Sequence, residues 1–214
     1  MLTYFYTITK LNLFKGDCLI CSMFVYEEDI QLCLTTLQKG GLILYPTDTV
    51  WGIGCDATNE EAVSKIFALK KRVDTKAMIV LLGDEVEIAH YVADNNLQIF
   101  DYIKGIHKPT TVIYQKAINL AKNLVAADES VAIRITKDAF CKDLMKALGK
   151  PIVSTSANIS GYPTPLCFAD ISIEIKEGVQ YVVKHRQEET NIQMPSSIVK
   201  WDEAGNLIII RPSY

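Results

Sequence analysis

The chain has 214 residues, of which 49% are hydrophobic and 22% are charged, a composition typical of a soluble globular protein with one core and one domain. Its formal net charge of −3 gives no overall attraction to nucleic acid, although a local basic cleft in an acidic protein still binds a polyphosphate. These values favour a small-molecule partner over a polymeric one.

The N-terminal region predicts neither membrane insertion nor secretion. Lys15 and Asp17 interrupt its most apolar stretch, and Asp48 interrupts the run that begins at Leu42. The opening MLTYFYTITKLNLFKGD lacks a basic start followed by an apolar block and a cleavage site. We therefore expect a cytoplasmic protein with no membrane segment.

Residues 1–22 differ from the rest of the sequence. LTYFYTITKLNLF is either an extra strand or sequence upstream of the true start, for which Met23 is an alternative. Cys18 and Cys21 have a metal-type spacing, but no second pair completes a zinc site, so we expect all six cysteines to be reduced thiols. We treat 1–22 as an N-terminal extension and 23–214 as the domain.

Helical and strand patterns are mixed along this domain. Hydrophobic spacing predicts three helices: one over EEDIQLCLTTLQK, one from the cap Asn59 to the basic cluster LKKR, and one from Asp138 to Leu148. Two shorter helical patterns lie across 84–103. Apolar runs predict strands at LILY, AMIVLL, TTVIY, VAIRI, YVV, SSIVK and LIII. The absence of strict alternation predicts an α/β fold with a twisted, partly parallel sheet flanked by helices.

Two polar loops interrupt the pattern. PTDTVWGIGCDAT follows the first strand, and TSANISGYPTP follows PIVS, with a composition that predicts no regular structure. Such side chains either satisfy their own backbone or present hydroxyl and amide groups to a ligand. Loops that follow buried strands in α/β proteins serve both purposes, so both interpretations stay open.

Several common catalytic arrangements are absent from the sequence. His90, His107 and His185 are the only histidines, and none has a metal-binding spacing or adjoins a G-x-S-x-G motif. There is also no G-x-x-x-x-G-K-[ST] loop. Triad hydrolysis, zinc catalysis and a standard phosphate-binding loop are therefore disfavoured.

A dinucleotide fingerprint is only partly matched. Gly52, Gly54 and Ala57 fit G-x-G-x-x-A, and Asp74 lies at the distance of a ribose-binding acid. The fingerprint requires its first glycine directly after the strand and a helix that begins within the motif. Here PTDTVW intervenes and the helix is predicted to begin near Asn59, which disfavours this interpretation.

The basic cluster also has two interpretations. If the helix ends at Lys70, then Lys70 and Arg72 lie two apart in extended chain and point to one side, where Lys76 joins them. Alternatively, the cations only complement the helix dipole, an effect of about 0.3 to 1 kcal/mol. Taken alone, the cluster favours the second interpretation.

The order of the motifs along the chain favours the ligand-binding interpretation of these segments. YPTDTVWGIGCDA, LKKR with the later Lys76, PTTVIY, VAIRI, KPIVSTSANISG and PSSIV follow one another along the chain. Together they closely resemble the YrdC family of threonylcarbamoyl-AMP synthases, from about Ile30 to Arg211. The most specific element is the pairing of lysine-x-arginine, Lys70 and Arg72, with a later serine-x-asparagine.

This resemblance implies a single-domain YrdC-like fold with a concave basic cavity that binds ATP, L-threonine and bicarbonate, with Mg²⁺ accompanying ATP. The expected products are threonylcarbamoyl-adenylate and pyrophosphate. Lys70 and Arg72 are the expected catalytic residues, and Thr47 and Lys76 the expected threonine contacts. The residues expected to bind ATP are Lys70, Arg72, Thr111, Arg134, Ser156, Asn158, Ser196 and Ser197.

The sequence departs from the family pattern at a few positions. His107-Lys108-Pro109 stands where the family has P-G-P, Val73 replaces a usual proline, and Trp51 replaces a usual tyrosine or phenylalanine. None of these changes removes a charge.

Other activities remain as alternatives. YciO-type relatives without a clear synthase role lack the serine-x-asparagine pair, which favours the synthase. A module that binds RNA weakly through the same cavity is the non-enzymatic alternative. The family resemblance also implies a tRNA-modifying transferase complex as the partner that receives the adenylate.

Overall fold

Helices and strands follow one another in a computed structural model that describes residues 26–71, 78–93, 99, 102, 105, 108–190, 194–202 and 204–212. The α-helices are α1 (Glu27–Gln38), α2 (Glu60–Leu69), α3 (Ile88–Tyr91), α4 (Ala139–Leu148) and α5 (Ile173–Gly178). The strands are β1 (Ile43–Tyr45), β2 (Gly52–Gly54), β3 (Ile79–Leu82), β4 (Thr110–Tyr114), β5 (Val131–Ile135), β6 (Ile152–Ser156), β7 (Tyr181–Val182), β8 (Ser197–Trp201) and β9 (Leu207–Arg211). Short 3-10 turns span Glu85–Glu87, Lys122–Leu124 and Phe168–Asp170. Among these described residues, no helix is both long and apolar enough to cross a membrane.

The described strands form one nine-stranded mixed sheet in the order β7-β1-β2-β6-β3-β5-β4-β8-β9. The β1–β7, β3–β5 and β4–β8 pairs are parallel, and the remaining pairs are antiparallel. The predicted α/β fold with a mixed sheet is therefore confirmed. The assignment of 1–22 as an extension lies outside the described residues and stays a prediction.

Helices α1 and α4 pack against each other beside the sheet. Helix α1 buries Ile30, Cys33 and Leu37 of the stripe that its sequence predicts, and the fourth predicted residue, Leu34, is partly exposed. Helix α4 begins where the Asp138 carboxylate accepts a 2.9 Å hydrogen bond from the Cys141 amide. These boundaries agree with the prediction because local caps and hydrophobic spacing determine them.

Strand β2 lies inside a segment that the sequence predicted to be a polar loop. It is short, and two of its three residues are glycines, so it carries little strand signal. A Cβ atom on Gly54 would lie 2.6 Å from Cε1 of Tyr45 and 3.0 Å from the carbonyl oxygen of Val153. The G-x-G motif therefore allows close packing of neighbouring strands, and the dinucleotide interpretation loses its support.

Two further local predictions are corrected by the structure. Strand β6 continues through Thr155 to Ser156, because both residues pair with β2, whereas the sequence assigned them to a loop. Lys70 has helical backbone angles and Lys71 has φ +49°, so the predicted extended chain does not begin at Lys70. Helix α5 was not predicted.

The described cysteines are free thiols, as the sequence predicted. Burial raises the pKa of the Cys33, Cys55 and Cys141 thiols well above the ordinary value. These three side chains belong to the core and remain protonated.

Candidate functional site

Three of the predicted site residues share one face of the sheet. Ile152 opposes Leu81, Leu81 opposes Arg134, and Arg134 opposes Thr111 on adjacent strands. Opposed residues project from the same face, as do alternate residues along a strand. Ser156, four residues beyond Ile152 in β6, therefore shares this face with Arg134 and Thr111.

Lys70 is fixed against the turn that follows β6. Its side chain is 2% exposed, and its ammonium group donates to the backbone carbonyls of Ser156 and Asn158, the latter over 2.6 Å. The carbonyl of Lys70 in turn accepts a 2.9 Å hydrogen bond from the Ser160 amide. The predicted meeting of the basic cluster with the serine-x-asparagine element is thus present for Lys70.

Within this turn, the two polar side chains bind each other and the backbone. The Ser156 hydroxyl donates to Oδ1 of Asn158 over 2.5 Å, and the Asn158 amide donates to the carbonyl of Tyr162 over 2.6 Å. Both side chains remain half-buried. The turn is therefore a rigid, partly open wall beside the Lys70 ammonium group.

Arg134 holds the loop between β1 and β2 through a directional chain of hydrogen bonds. Its Nη1 donates to the Thr49 hydroxyl over 2.7 Å, and the Thr47 hydroxyl donates to the Val50 carbonyl over 2.8 Å. Because Thr47 has only one hydroxyl proton, Thr49 is the donor in the 2.9 Å contact between the two hydroxyls. Thr47 also accepts from the Thr49 amide, so its hydroxyl is fully used inside the loop.

The guanidinium group of the buried Arg134 has a donor nitrogen that the described residues do not use. Arg134 is 2% exposed, and its Nη2 forms a 3.3 Å ion pair with Oδ1 of Asp48 that lacks good hydrogen-bond geometry. Its Nε, also buried, has no hydrogen-bond partner among the described residues. A guanidinium group in this state retains a donor for a carboxylate or phosphate oxygen.

A hydroxyl group from β4 and one from the residue that precedes β8 meet beside Arg134. The hydroxyls of Thr111 and Ser196 lie 2.8 Å apart, and both side chains are buried. Arg211, at the end of β9, donates from Nε and Nη2 to the Ser196 carbonyl over 3.0 and 2.7 Å. Burial, followed by the neighbouring charge of Arg134, lowers the pKa of Arg211.

Arg211 is a site residue that sequence reasoning did not single out. It ends the apolar run LIII, and no local pattern separates it from an ordinary exposed cation. The only signal is its position in register, since Ile198 opposes both Arg211 and Thr111.

The structure separates the two late serines. The Ser197 hydroxyl lies 2.9 Å from the Thr110 hydroxyl, and both residues face away from Thr111, because adjacent strand residues alternate. Ser196 therefore joins the Arg134 cluster, whereas Ser197 does not. Arg72 and Lys76 lie outside the described residues, so their places in the site stay predictions.

A groove of about 620 Å³ lies directly beside Asn158. The residues that line the groove are mainly apolar and include Ile159, Tyr162, Pro163, Pro165 and Leu166. Its charged residues are Lys71, Asp170 and Glu174. The size and the mixed lining suit a drug-sized ligand with a flat apolar part and a charged part.

No dedicated metal cage is present in the described part of the chain. No group of three or more histidine, cysteine, aspartate or glutamate side chains is placed to hold an ion there. These residues do not form an all-protein site for Mg²⁺, which enzymes commonly bind through substrate phosphates and water.

The fold and the site define a mixed α/β domain in which the buried cations Lys70 and Arg134 adjoin hydroxyl and amide groups. The chain belongs to the Sua5/YciO/YrdC family, whose model carries the description "Telomere recombination" and matches residues 35–213. The family resemblance inferred from the motifs is thereby confirmed.

Curated relatives carry one functional name. A threonylcarbamoyl-AMP synthase from Pseudoalteromonas translucida is 33% identical over 160 residues, which cover 73% of this chain and 86% of that protein. A threonylcarbamoyl-AMP synthase from Vibrio parahaemolyticus is 30% identical over 175 residues, with 80% and 93% of the two chains covered.

Solved structures share the fold. Sua5 from P. abyssi complexed with L-threonine matches with a TM-score of 0.80 at 23% identity over 87% of this chain, which spans only 54% of that chain. E. coli YciO matches with a TM-score of 0.75 at 20% identity, covering 87% of this chain and 89% of YciO.

Proposed function

We propose that this chain is a threonylcarbamoyl-AMP synthase, which converts ATP, L-threonine and bicarbonate into threonylcarbamoyl-adenylate and pyrophosphate. The observation that carries the proposal is the contact of the Lys70 ammonium group with the Ser156 and Asn158 carbonyls. This contact joins two motifs that are far apart in sequence, and the name shared by the curated relatives supports the same activity.

The reaction needs positioning and positive charge more than a protein nucleophile. Threonine and bicarbonate form a carbamate, whose oxygen attacks the α-phosphorus of ATP while the bond to the β-phosphate oxygen breaks and pyrophosphate leaves. Negative charge builds on the phosphate oxygens, where cationic donors stabilise it. The buried thiols of Cys33, Cys55 and Cys141, whose pKa is raised by burial, are not needed as nucleophiles in this route.

We assign Lys70 and Arg72 to the triphosphate. Lys70 supplies a buried charge at the turn after β6, and Arg72 follows it two residues later. Ser156 and Asn158 form the facing wall, and the groove beside Asn158 has room for the nucleoside. A forked guanidinium group suits Arg72 for phosphate oxygens, while lysine acts as a point charge.

We assign the Arg134 cluster to the anionic oxygens of the reacting groups. Its unused Nε donor, the Thr111 and Ser196 hydroxyls and the nearby Arg211 form a buried polar surface. Because the Thr47 hydroxyl is saturated within its own loop, we propose that Thr47 positions the threonine-binding loop and contacts threonine through other atoms. Lys76 keeps its expected role as a threonine contact within this proposal, whereas Ser197, which faces away from Thr111, is not assigned to ATP.

Mg²⁺, the cellular location and the onward partner belong to the same proposal. We propose that Mg²⁺ arrives on the phosphates of ATP, where it would neutralise their charge. We further propose a cytoplasmic protein that passes the labile adenylate to a tRNA-modifying transferase complex, with at most weak contact to RNA.

The direct test is synthesis by the purified full-length chain. ATP and bicarbonate are supplied with threonine, serine or glycine, and the AMP-linked product and pyrophosphate are measured by chromatography and mass spectrometry. We expect product with threonine and little with the other two. Absence of product with threonine would overturn the proposal. Arg72→Ala should abolish synthesis, whereas Lys39→Ala, at the exposed end of α1, is the charge-matched control.

A further inference from the structure

An ion pair joins two walls of the groove beside Asn158. Nζ of Lys71 lies 2.8 Å from Oε1 of Glu174, and both residues line the groove. Lys71 follows Lys70, the residue that caps the C-terminus of α2, and Glu174 is the second residue of α5. The pair therefore connects the helix that carries Lys70 to the segment on the other side of Asn158.

The backbone of Lys71 is unusual for a residue with a side chain. Its φ of +49° lies in the left-handed region, where the residue that ends a helix is most often glycine. A residue with a Cβ is strained in this conformation because the Cβ comes close to the following carbonyl oxygen. The conformation separates the exposed Lys71 side chain from the buried Lys70 side chain.

The pair is suited to exchange. The two side chains are 66% and 49% exposed, and solvent screening makes such an exposed ion pair weak. The hydrogen bond and charge of Glu174 raise the pKa of Lys71, so the lysine stays protonated at neutral pH. A polyphosphate carries more negative charge than one carboxylate and competes well for this cation.

The remaining charge in the groove makes this competition matter. While the pair is closed, Lys71 is neutralised by Glu174, and the Asp170 carboxylate is the third charged group of the lining. Asp170 is engaged by the backbone amides of Leu166 and Cys167, each over 3.2 Å. The lining carries one cation and two carboxylates and is therefore net anionic, so an anion that binds in the groove has to compete with Glu174 for Lys71.

We infer that Lys71 and Glu174 form an electrostatic gate in which Glu174 holds Lys71 in the empty protein and a polyphosphate takes Lys71 from it. Lys71 is then a further substrate-binding residue, and Glu174 sets the affinity by competing with the ligand. The choice of a polyphosphate as the ligand rests on the proposed function, whereas competition between Glu174 and pyrophosphate for Lys71 is measured without any synthase activity.

Calorimetric titration with inorganic pyrophosphate and with ATP tests the gate. Glu174→Gln should tighten pyrophosphate binding about threefold to tenfold, because it removes the competitor, and Lys71→Gln should weaken it about tenfold. In the double variant, the Glu174 substitution should no longer tighten binding, because there is no lysine left to release.

Matched controls separate the gate from a general change in net charge. Glu28 and Lys184 form another exposed ion pair, 3.6 Å apart, and neither residue lines the groove. Glu28→Gln and Lys184→Gln should leave pyrophosphate affinity unchanged. The gate is refuted if Glu174→Gln fails to tighten binding, if Lys71→Gln fails to weaken it, or if the Glu174 effect persists without Lys71.

The same proteins distinguish this inference from the proposed function. Threonine-dependent synthesis is measured separately on the wild type and the four single variants. If the wild type makes no adenylate but Glu174→Gln tightens pyrophosphate binding, the gate is supported and the proposed synthase function is refuted. If the wild type makes adenylate but Glu174→Gln does not tighten pyrophosphate binding, the synthase function is supported and the gate is refuted.

Discussion

Arg134 donates a hydrogen bond from Nη1 to the Thr49 hydroxyl over 2.7 Å and so ties β5 to the loop between β1 and β2. Both side chains are buried, and the same guanidinium group forms an ion pair with Asp48. One arginine therefore determines the position of the whole loop. Its removal affects both the stability of the domain and the geometry of the site.

Thr49→Val tests this anchor without removing the charge. The substitution leaves a buried arginine donor without its acceptor, which costs about 1 to 3 kcal/mol of unfolding free energy. Urea unfolding measures the loss, and synthesis should fall because the Thr47 hydroxyl loses one of its two hydrogen-bond donors, the Thr49 hydroxyl. Thr35→Val is the control, since the Thr35 hydroxyl binds the Gln31 carbonyl on the exposed face of α1. Equal stability of the two variants would contradict the anchoring role.

Ser196→Ala and Ser197→Ala compare two neighbouring hydroxyls on opposite faces of the sheet. Ser196→Ala removes the hydroxyl that pairs with Thr111 beside Arg134. We expect KM for ATP or threonine to rise about tenfold, which corresponds to the loss of one hydrogen bond to a charged substrate group. Ser197→Ala removes a contact with Thr110 and should have a smaller effect. Steady-state kinetics with each substrate varied in turn measures the difference. A larger effect at Ser197 would place the nucleotide on the other face.

Gly54→Ala tests the packing interpretation of the G-x-G motif. The added methyl group would lie 2.6 Å from the Tyr45 ring, so the core must shift, at a cost of about 1 to 3 kcal/mol. Thermal unfolding should show a lower Tm. At Gly83 the nearest atom to an added Cβ is 3.5 Å away, and Gly83→Ala should leave Tm nearly unchanged. A Gly54→Ala protein with wild-type Tm would reopen a ligand-binding role for the motif.

His185→Phe tests a pH-dependent contribution to stability. His185 stacks on Phe140 with ring centroids 5.8 Å apart, and burial, followed by the charge of Arg186, lowers the pKa of His185 below 6.5. As the pH falls through 6.5, the unfolded chain binds a proton that the folded protein does not bind until lower pH, so folding is progressively destabilised there.

The measurement is the unfolding free energy of both proteins above and below that pH. The fall in stability on acidification should be smaller in His185→Phe than in the wild type, because phenylalanine keeps the ring and removes the titration. His90→Gln, at an exposed position, serves as the control for loss of a histidine. An unchanged pH profile in His185→Phe would show that His185 titrates alike in both states.

The sequence predicted most elements because their signals are local. Asn59 accepts a hydrogen bond from the Ala62 amide as a helix cap, and Gly149 ends α4 with φ +68°. Strand β2 was missed because a three-residue strand with two glycines has no such signal, and its pairing with β1 and β6 defines it. The Lys70 contact was predicted only from the resemblance, since its partners lie 86 and 88 residues away.

By itself, the sequence determined the boundaries of α1, α2 and α4, most of the strands and the set of motifs that indicate the family, because caps, hydrophobic spacing and motif order are properties of neighbouring residues. Only the tertiary structure decided that Arg211 lies beside Ser196, that Ser197 faces away from Thr111 and that Lys71 binds Glu174. Strand register, the backbone conformation at a helix end and the burial of an arginine depend on distant parts of the chain meeting, and no local pattern specifies them.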